Sequence, residues 1–291
     1  MGAADGTTRV RRRRVVVVGD RSNARAVALA RALEPELAAR CRVKAIDLDH
    51  EVDLRRVRAD LVLVLGGDGS ILETARRLDG NRVPLMGVNL GHLGFLATVS
   101  ADEPPTRIAE HAAGPLEVEE RGRLRVELVL KAGRTIAAGD AVNDAVLDRG
   151  EHLRLITIGV RVEDGPAFET RGDGLVVSTP TGSTAYSLAA GGPILHPAID
   201  AVLVTPLCPH SLTNRPVAVP SESTIDLEVL EADGGARVSV DGRPARRKGL
   251  AVGDRVRVRR SQRPLRIAVL PGEDFYSRLR SKLHFARPAF E

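Results

Sequence analysis

The sequence predicts an α/β N-terminal domain with a parallel sheet, followed by an all-β sandwich C-terminal domain. Three observations carry this expectation. Up to about residue 100, unbroken apolar runs alternate with helical patterns, and runs without polar alternation mark strands buried on both faces of a helix-covered parallel sheet. From residue 116 onward the runs shorten and are separated by turn chemistry such as Glu163-Asp164-Gly165-Pro166 and Asp241-Gly242-Arg243-Pro244, which suits closely spaced antiparallel strands. Residues 274–284, DFYSRLRSKLH, form a helical pattern that can pack back on the first half.

Taken in order, residues 14–18 read as a strand and 23–37 as a helix with Ala and Leu at helical spacing. Strands follow at 43–48 and 61–65, then a helix with Ile71, Leu72, Ala75 and Leu78 apolar, and a strand at 83–88. This is a Rossmann-like order, and ligands of such sheets bind beyond the carboxyl ends of the strands, where the glycine-bearing loops 66–69 and 87–94 fall. Pro104-Pro105 and a short helix around 108–113 read as a link. Beyond it lie strands at 124–130, 155–162, 175–178, 225–230 and 238–240, with 265–270 as one more. The expected division is a disordered basic tail at 1–13, an α/β domain at 14–103 joined by about 271–291, and a sandwich at 104–270.

With 291 residues, 43% of them apolar, the chain can bury substantial cores. Only 2% are aromatic, so those cores are aliphatic. Cys41 and Cys208 show neither CxxC nor Cys/His ligand spacing, which fits a reduced, cytoplasmic protein without a disulfide framework or structural zinc. The net charge of +5 invites a nucleic-acid reading. Most of it, however, sits in the first fourteen residues, where Arg9 and Arg11 to Arg14 face a single acid, Asp5; a nucleic-acid footprint belongs on the folded body, so no nucleic acid is expected. The Val15 to Val18 run is too short for a signal peptide, and no stretch approaches the ~20 apolar residues of a membrane helix.

Chemistry concentrates in two loops. In the first, the strand at 61–65 runs into Gly66-Gly67-Asp68-Gly69-Ser70 and then a helix, a geometry that aims backbone N–H groups at an anion. Ser70 with Glu73 matches a capping box. The loop reads equally as a tight, well-capped turn, or as a phosphate cradle in which Asp68 accepts a proton from an attacking hydroxyl. No GxxxxGK[ST] is present, and lysine is scarce (Lys44, Lys131, Lys248 and Lys282), leaving Mg²⁺, arginine and backbone amides to neutralise phosphate. In the second, Thr179-Pro180-Thr181-Gly182-Ser183-Thr184-Ala185-Tyr186 reads as a loop that bonds itself, or as a hydroxyl-rich pocket for a purine and its sugar. Asn143-Asp144 suits ribose hydroxyls and suits an ordinary turn as well.

Together the GGDGS loop, GVNLGHLGFL at 87–96, Asn143-Asp144, RGDGLVVSTPTGSTAYSLAAGGPILHP at 171–197, PHSLTNRPVAVP at 209–220 and FYSRLRSKLHF at 275–285 resemble bacterial NAD kinases. GGDG alone is shared with diacylglycerol kinase-like and phosphofructokinase-like enzymes; the TPTGSTAYSLAAGGP segment is far more specific. The resemblance implies phosphoryl transfer from ATP or polyphosphate to the adenosine 2′-hydroxyl of NAD⁺, with Asp68 as catalytic base. It implies a donor loop of Gly66, Gly67, Gly69 and Ser70. It implies NAD contacts from Asp68, Gly69, Phe95, Asn143, Asp144, Arg154, Thr181, Thr184, Ala185, Tyr186, Ser187 and Arg243. Asp173 corresponds to a residue at the nicotinamide end that a neighbouring subunit often donates, and a basic residue at Arg171 goes with preference for NAD⁺ over NADH. Mg²⁺ carried by the donor and a homodimer or homotetramer are implied too. Departures from the family pattern are Asp144 where Glu is usual, Ser70 for Thr, Glu73 at a commonly basic position and Arg243 where Gln is frequent. A GGDG-type lipid kinase and a non-catalytic NADP-binding protein are the alternatives; the polar TPTGSTAY loop disfavours the first and Asp68 the second.

Overall fold

In the computed structural model, which describes residues 12–91, 94–246, 248–272 and 274–283, the chain divides into two units, 1–119 with 266–291, and 120–265. The first unit runs β1 (Arg14–Val18), α1 (Ala24–Arg40), β2 (Arg42–Asp47), β3 (Leu61–Leu65), α2 (Asp68–Leu78), β4 (Leu85–Asn89), β5 (Val99–Ser100), α3 (Pro105–Ala113) and β6 (Glu117–Arg121). There follow β7 (Leu124–Val129), β8 (Thr135–Ala141), β9 (Asp144–Asp148), β10 (Ile156–Val162), β11 (Phe168–Gly172), β12 (Gly174–Ser178) and the short α4 (Tyr186–Ala189). β13 (Ala201–Leu207), β14 (Val217–Pro220), β15 (Ile225–Glu231), β16 (Arg237–Val240), β17 (Arg243–Pro244) and β18 (Arg255–Arg260) complete the second unit. β19 (Leu265–Val269) and α5 (Phe275–Leu283) then return to the first.

The first sheet has the order β2-β1-β3-β4-β19-β6, with β5 on β4. Pairing is parallel between β1 and β2, β1 and β3, β3 and β4, β4 and β19, and β4 and β5. Alternate residues serve opposite covers. Val15, Val17, Leu61, Leu63, Leu65, Met86 and Val88 pack with Ala26, Ala30, Leu33 and Leu37 of α1 and with Ile108, Ala109 and Ala112 of α3. On the opposite face Ile71 of α2 lies over β4, where a Cβ on Gly87 would come within 2.5 Å of the Ile71 Cδ1. Both faces are therefore dry, which is why β1 and β3 are apolar at every central position. Asn23 starts α1 by accepting the N–H groups of Arg25 and Ala26 at 3.0 and 3.2 Å, and the helix continues past its expected end at 37 to Arg40.

The second unit is a sandwich of two six-stranded antiparallel sheets, ordered β11-β10-β15-β18-β7-β8 and β14-β13-β12-β9-β16-β17. Inward residues of the first, such as Val126, Ile158, Leu227 and Val258, interleave with Leu147, Leu175, Val177 and Val204 of the second in one aliphatic core. The outer face of the second sheet is not wholly polar: Val146, Val176 and Leu207 form a smaller buried cluster with Ala190, just after α4.

Two boundaries differ from the sequence expectation of 103/104 and 270/271. Helix α3 packs on α1, and β19 pairs with β4 through Ile267 and Leu85, so both lie with the first unit. An apolar run of five residues fits a sandwich strand or a parallel strand equally, and its partner, which decides, is distant in sequence. Of the expected tail, residues 1–11 lie outside the described residues. Arg12 and Arg13, assigned to that tail, bond to the carbonyls of Ala38 and Ala112 at 3.3 and 2.6 Å.

One buried ion pair ties α2 to the sheet. Asp47, at the end of β2, accepts the N–H of Glu51 at 2.9 Å and a guanidinium N–H of Arg77 at 2.5 Å, and the same nitrogen of Arg77 reaches the Val52 carbonyl at 2.8 Å. Both side chains are nearly dry, at 11% and 2% exposure. Removing the cation leaves a buried carboxylate uncompensated, at a cost of about 3 kcal/mol. Arg77→Met is accordingly expected to lower the stability of the first unit by that amount in urea unfolding.

Candidate functional site

In the first unit the site grows from the β3–α2 turn. Gly67 is the N-cap in extended conformation and Asp68 is the first helical residue. The helix thus starts earlier than a Ser70 cap requires, since an acid in the first turn is favoured by the helix dipole. Ser70 lies inside the helix: its N–H bonds to the Gly67 carbonyl at 3.0 Å, and its own carbonyl accepts the Thr74 hydroxyl at 2.7 Å. Glu73 pairs with Arg76 instead of reaching back to the cap. Ser70 also packs over Gly66, where a Cβ would stand 2.1 Å from its Oγ, so the glycine at 66 is required by that side chain.

The Asp68 carboxylate is turned onto the loop after β4. Its Oδ2 accepts the N–H of Phe95 at 2.9 Å, and its Oδ1 those of Leu96 at 3.0 Å and Ala97 at 3.4 Å. Gly94 makes the approach possible, because a Cβ there would lie 1.9 Å from Oδ1. From α5, the Lys282 ammonium stands 3.7 Å from Oδ2 and 4.4 Å from the centroid of the Phe95 ring; Phe95 in turn contacts Phe275 at a centroid separation of 6.3 Å. Asp68 keeps 29% of its side-chain surface exposed. Among the described residues no acceptor meets the amides of Asp68 and Gly69, which the start of a helix leaves open. The expected loop 87–94 includes His92 and Leu93, which lie outside the described residues.

In the second unit the expected nucleotide residues gather at one end of the β9–β12 pair, where Asp144 stands opposite Ser178. Asp241, in a left-handed conformation with φ of 47°, holds this end. Its carboxylate accepts the N–H groups of Val142 and Asn143 at 2.8 Å each and of Asp144 at 3.2 Å. The Thr179 hydroxyl bonds to the Val142 carbonyl at 2.6 Å, and the Thr179 N–H to the Asn143 carbonyl at 2.9 Å. Gly182 rests on Asn143 so closely that a Cβ would meet its carbonyl oxygen at 2.1 Å. The loop does bond itself: Ser183 Oγ donates to Pro180 and accepts from the Leu195 N–H, and Thr184 Oγ1 donates to Thr181, at 2.6, 2.9 and 3.1 Å. Ser187 is fully buried and bonded to the Thr205 hydroxyl at 2.9 Å, a scaffold position with no open face.

Strand alternation puts Asp144, Val146 and Asp148 on the outer face of β9, the face bearing α4. Tyr186 opens that helix, half exposed. Its hydroxyl is pushed up first by partial burial, then by the charges of Asp148, Cys208, Asp173 and Asp144. Asp173 precedes β12 at the end where Gly174 pairs Asp148, about 17 Å from Asp144 at the rise of a strand. Arg149 donates to the Asp173 Oδ1 at 2.6 Å, and Arg171 is exposed on the adjoining β11, opposite Thr157. Arg243 lies on β17 beside Val240, close in sequence to Asp241. Arg154 stands apart, 81% exposed and paired with Asp233 at 2.6 Å. Three residues that matter here escaped sequence reasoning. In the sequence Lys282 is a scarce lysine within the C-terminal helical pattern, with no site role attached to it, Asp241 is turn chemistry, and Arg149 carries no local signal.

Asp144 is 5% exposed, and its carboxyl is pushed up to about 7, by burial first and then by the neighbouring charge of Asp241. Burial raises Asp241 too, opposed by its three amide bonds and Arg123. In the unfolded chain an aspartate titrates near pH 4 (about 3.9). Between that value and about 7 the folded state binds the extra proton, so the contribution of Asp144 to stability falls as pH rises through this window. Asp144→Asn, which cannot ionise, is expected to raise the melting temperature relative to the parent chain more at pH 8 than at pH 5.

Comparison with known proteins matches both units. The ATP-NAD kinase N-terminal domain family matches residues 7–114 and the ATP-NAD kinase C-terminal domain family residues 142–270. An NAD kinase of Aromatoleum aromaticum is 43% identical over 229 residues, covering 79% of this chain and 75% of that protein. One of Magnetococcus marinus is 40% identical over 227 residues, covering 78% and 74%. Among solved structures, yeast NADH kinase complexed with NADH superposes with a TM-score of 0.80 at 26% identity, over 96% of this chain and 89% of its own. An NAD kinase from Archaeoglobus fulgidus in complex with ATP, 23% identical, shares the fold with a TM-score of 0.71 over 92% and 99%. With both domain families and relatives above 40% identity matched, the chain belongs to the ATP-NAD kinase family.

Proposed function

We propose that the chain transfers the terminal phosphoryl group of ATP or polyphosphate to the adenosine 2′-hydroxyl of NAD⁺, giving NADP⁺. The observation that carries the reading is the Asp68 carboxylate, held by the amides of residues 95–97 at the N-terminus of α2. Three amides fix its orientation and occupy only part of its lone-pair capacity, so it can align the ribose hydroxyl and take its proton. Donor phosphate oxygens then suit the open amides of Asp68 and Gly69, with Gly66, Gly67 and Ser70 shaping the turn. In such a transfer the protein's work is positioning and charge stabilisation.

Asn143, Asp144, Thr181, Thr184, Ala185 and Tyr186 are proposed to hold the adenosine half of NAD⁺, with Phe95 and Arg243 at its margins. Asp173, just before β12, and Arg171, on β11 of the other sheet, suit the nicotinamide end. Ser187 supports the loop through Thr205, and exposed Arg154 is a peripheral contact. Mg²⁺ is proposed to arrive with the donor, where it supplies positive charge to the phosphates. No described helix is long and apolar enough to cross a membrane; a cytoplasmic location and a homodimer or homotetramer with subunits sharing the site belong to the same proposal.

Asp68→Asn is expected to fold as the parent chain does by circular dichroism and to lose at least about a hundredfold in kcat. Near-parental NADP⁺ formation by that variant, followed through a coupled NADPH assay, removes Asp68 as the base. With Arg171 present, NAD⁺ is expected to be phosphorylated faster than NADH when both are offered with the same donor. Equal rates overturn the role given to that arginine.

A further inference from the structure

Helix α5 delivers a lysine to the proposed base. Its first turn is capped by Asp274, whose Oδ1 accepts the N–H groups of Tyr276 and Ser277 at 2.8 and 2.9 Å. Phe275 and Leu279 are buried, and Lys282, seven residues after Phe275, falls on the same helical face. The face that anchors the helix therefore carries the ammonium to Asp68. At 3.7 Å from Oδ2 the contact is an ion pair longer than a hydrogen bond. The orientation of the carboxylate is already fixed by three amides. The cation also rests on the face of the Phe95 ring, 4.4 Å from its centroid, an attraction that holds a charge without using its N–H donors. Lys282 is thus positioned as a point charge, with no hydrogen bond from its ammonium among the described residues and a flexible four-carbon stem. It lies beside the helix start whose open amides suit phosphate.

We infer that Lys282 is a catalytic residue that binds the terminal phosphate of the donor, moving its ammonium from Asp68 to that phosphate when the donor enters. The inference rests on the phosphoryl-transfer reading above. In the step itself, the 2′-oxygen of NAD⁺ forms a bond to the terminal phosphorus and its proton passes to Asp68. The bond from that phosphorus to the bridging oxygen breaks, and the electron pair leaves with the nucleoside diphosphate or the shortened polyphosphate. Lys282 keeps its protons throughout and neutralises charge on the oxygens of the transferring group. Its departure from Asp68 coincides with the arrival of the hydroxyl that Asp68 must meet, so one movement prepares both partners.

The test compares the full chain with Lys282→Met, which keeps the stem and loses the charge, and Lys282→Arg, which keeps the charge. NAD⁺ is held at saturation while Mg·ATP is varied, and calorimetry measures affinity for Mg²⁺ with the non-hydrolysable donor AMP-PNP. For Lys282→Met a loss of about tenfold or more in kcat/KM for ATP is expected, with weakened AMP-PNP binding and the KM for NAD⁺ essentially unchanged. Lys282→Arg is expected to recover a substantial part. Parental kcat/KM for ATP in Lys282→Met overturns the inference, as does a loss confined to the KM for NAD⁺, or an arginine variant no better than methionine. Should Lys282→Met fail to fold, Lys282→Gln is read by the same criteria. A parent chain that forms NADP⁺ while Lys282→Met matches it refutes the lysine alone; a parent chain inactive with every donor refutes the phosphoryl-transfer reading and the lysine with it.

Discussion

A carboxylate that accepts several backbone amides at once is the interaction on which the candidate loops of each unit depend. Asp68 binds the amides of residues 95–97, and Asp241 those of residues 142–144. In each case one side chain fixes a loop that has no regular partner. Charge-assisted bonds of this kind are worth about 1.5–3 kcal/mol each, enough to outweigh the ordering cost of a short segment. The two clamps differ in environment. Asp241 is half-buried and holds the amides of Val142, Asn143 and Asp144, whereas Asp68 presents its own oxygens with 29% of its side chain exposed. One acid is scaffold; the other is scaffold and proposed reagent together.

Close packing around these clamps explains the glycines. Gly94 and Gly182 each admit an oxygen to within 2.1 Å of where a Cβ would stand, so no larger residue fits without moving the loop. The polar loop 179–186 gives the Ser183 and Thr184 hydroxyls to its own carbonyls and that of Thr179 to Val142. That removes the contrast between a self-bonded loop and a nucleotide pocket, because a pocket lined by small residues must first hold its own shape. The raised carboxyl of Asp144 belongs to the same economy of space: a second acid at Asp241 is tolerated for the three amides it orders.

The fold class was legible because dry parallel strands and hairpin turns leave local marks. The runs at Leu61–Leu65 and in the β1 strand, and turns such as Asp241-Gly242, are readable one window at a time. The candidate site was legible where motifs are contiguous, as at residues 66–70 and 179–186. What stayed hidden is decided by distant partners. β19 carries the same apolar run whether it joins a sandwich or lies beside β4. Asp241 looks like any Asp-Gly turn until β16 brings it under Val142, and Lys282 looks like a surface cation until Phe275 anchors α5. The Ser70–Glu73 pair misled for a related reason, since a capping box and a helix that starts at an acid present the same local spacing.

The return of β19 and α5 to the first unit has a consequence for biosynthesis. On the ribosome, β4 is made long before β19, its neighbour in the sheet, and residues 120–265 intervene. β5 covers the end of β4, but the edge at Leu85 lacks its partner Ile267 until the whole sandwich has been translated, the kind of edge that recruits other chains. Such an edge is a hazard of the folding route, which the stability of the finished molecule does not remove.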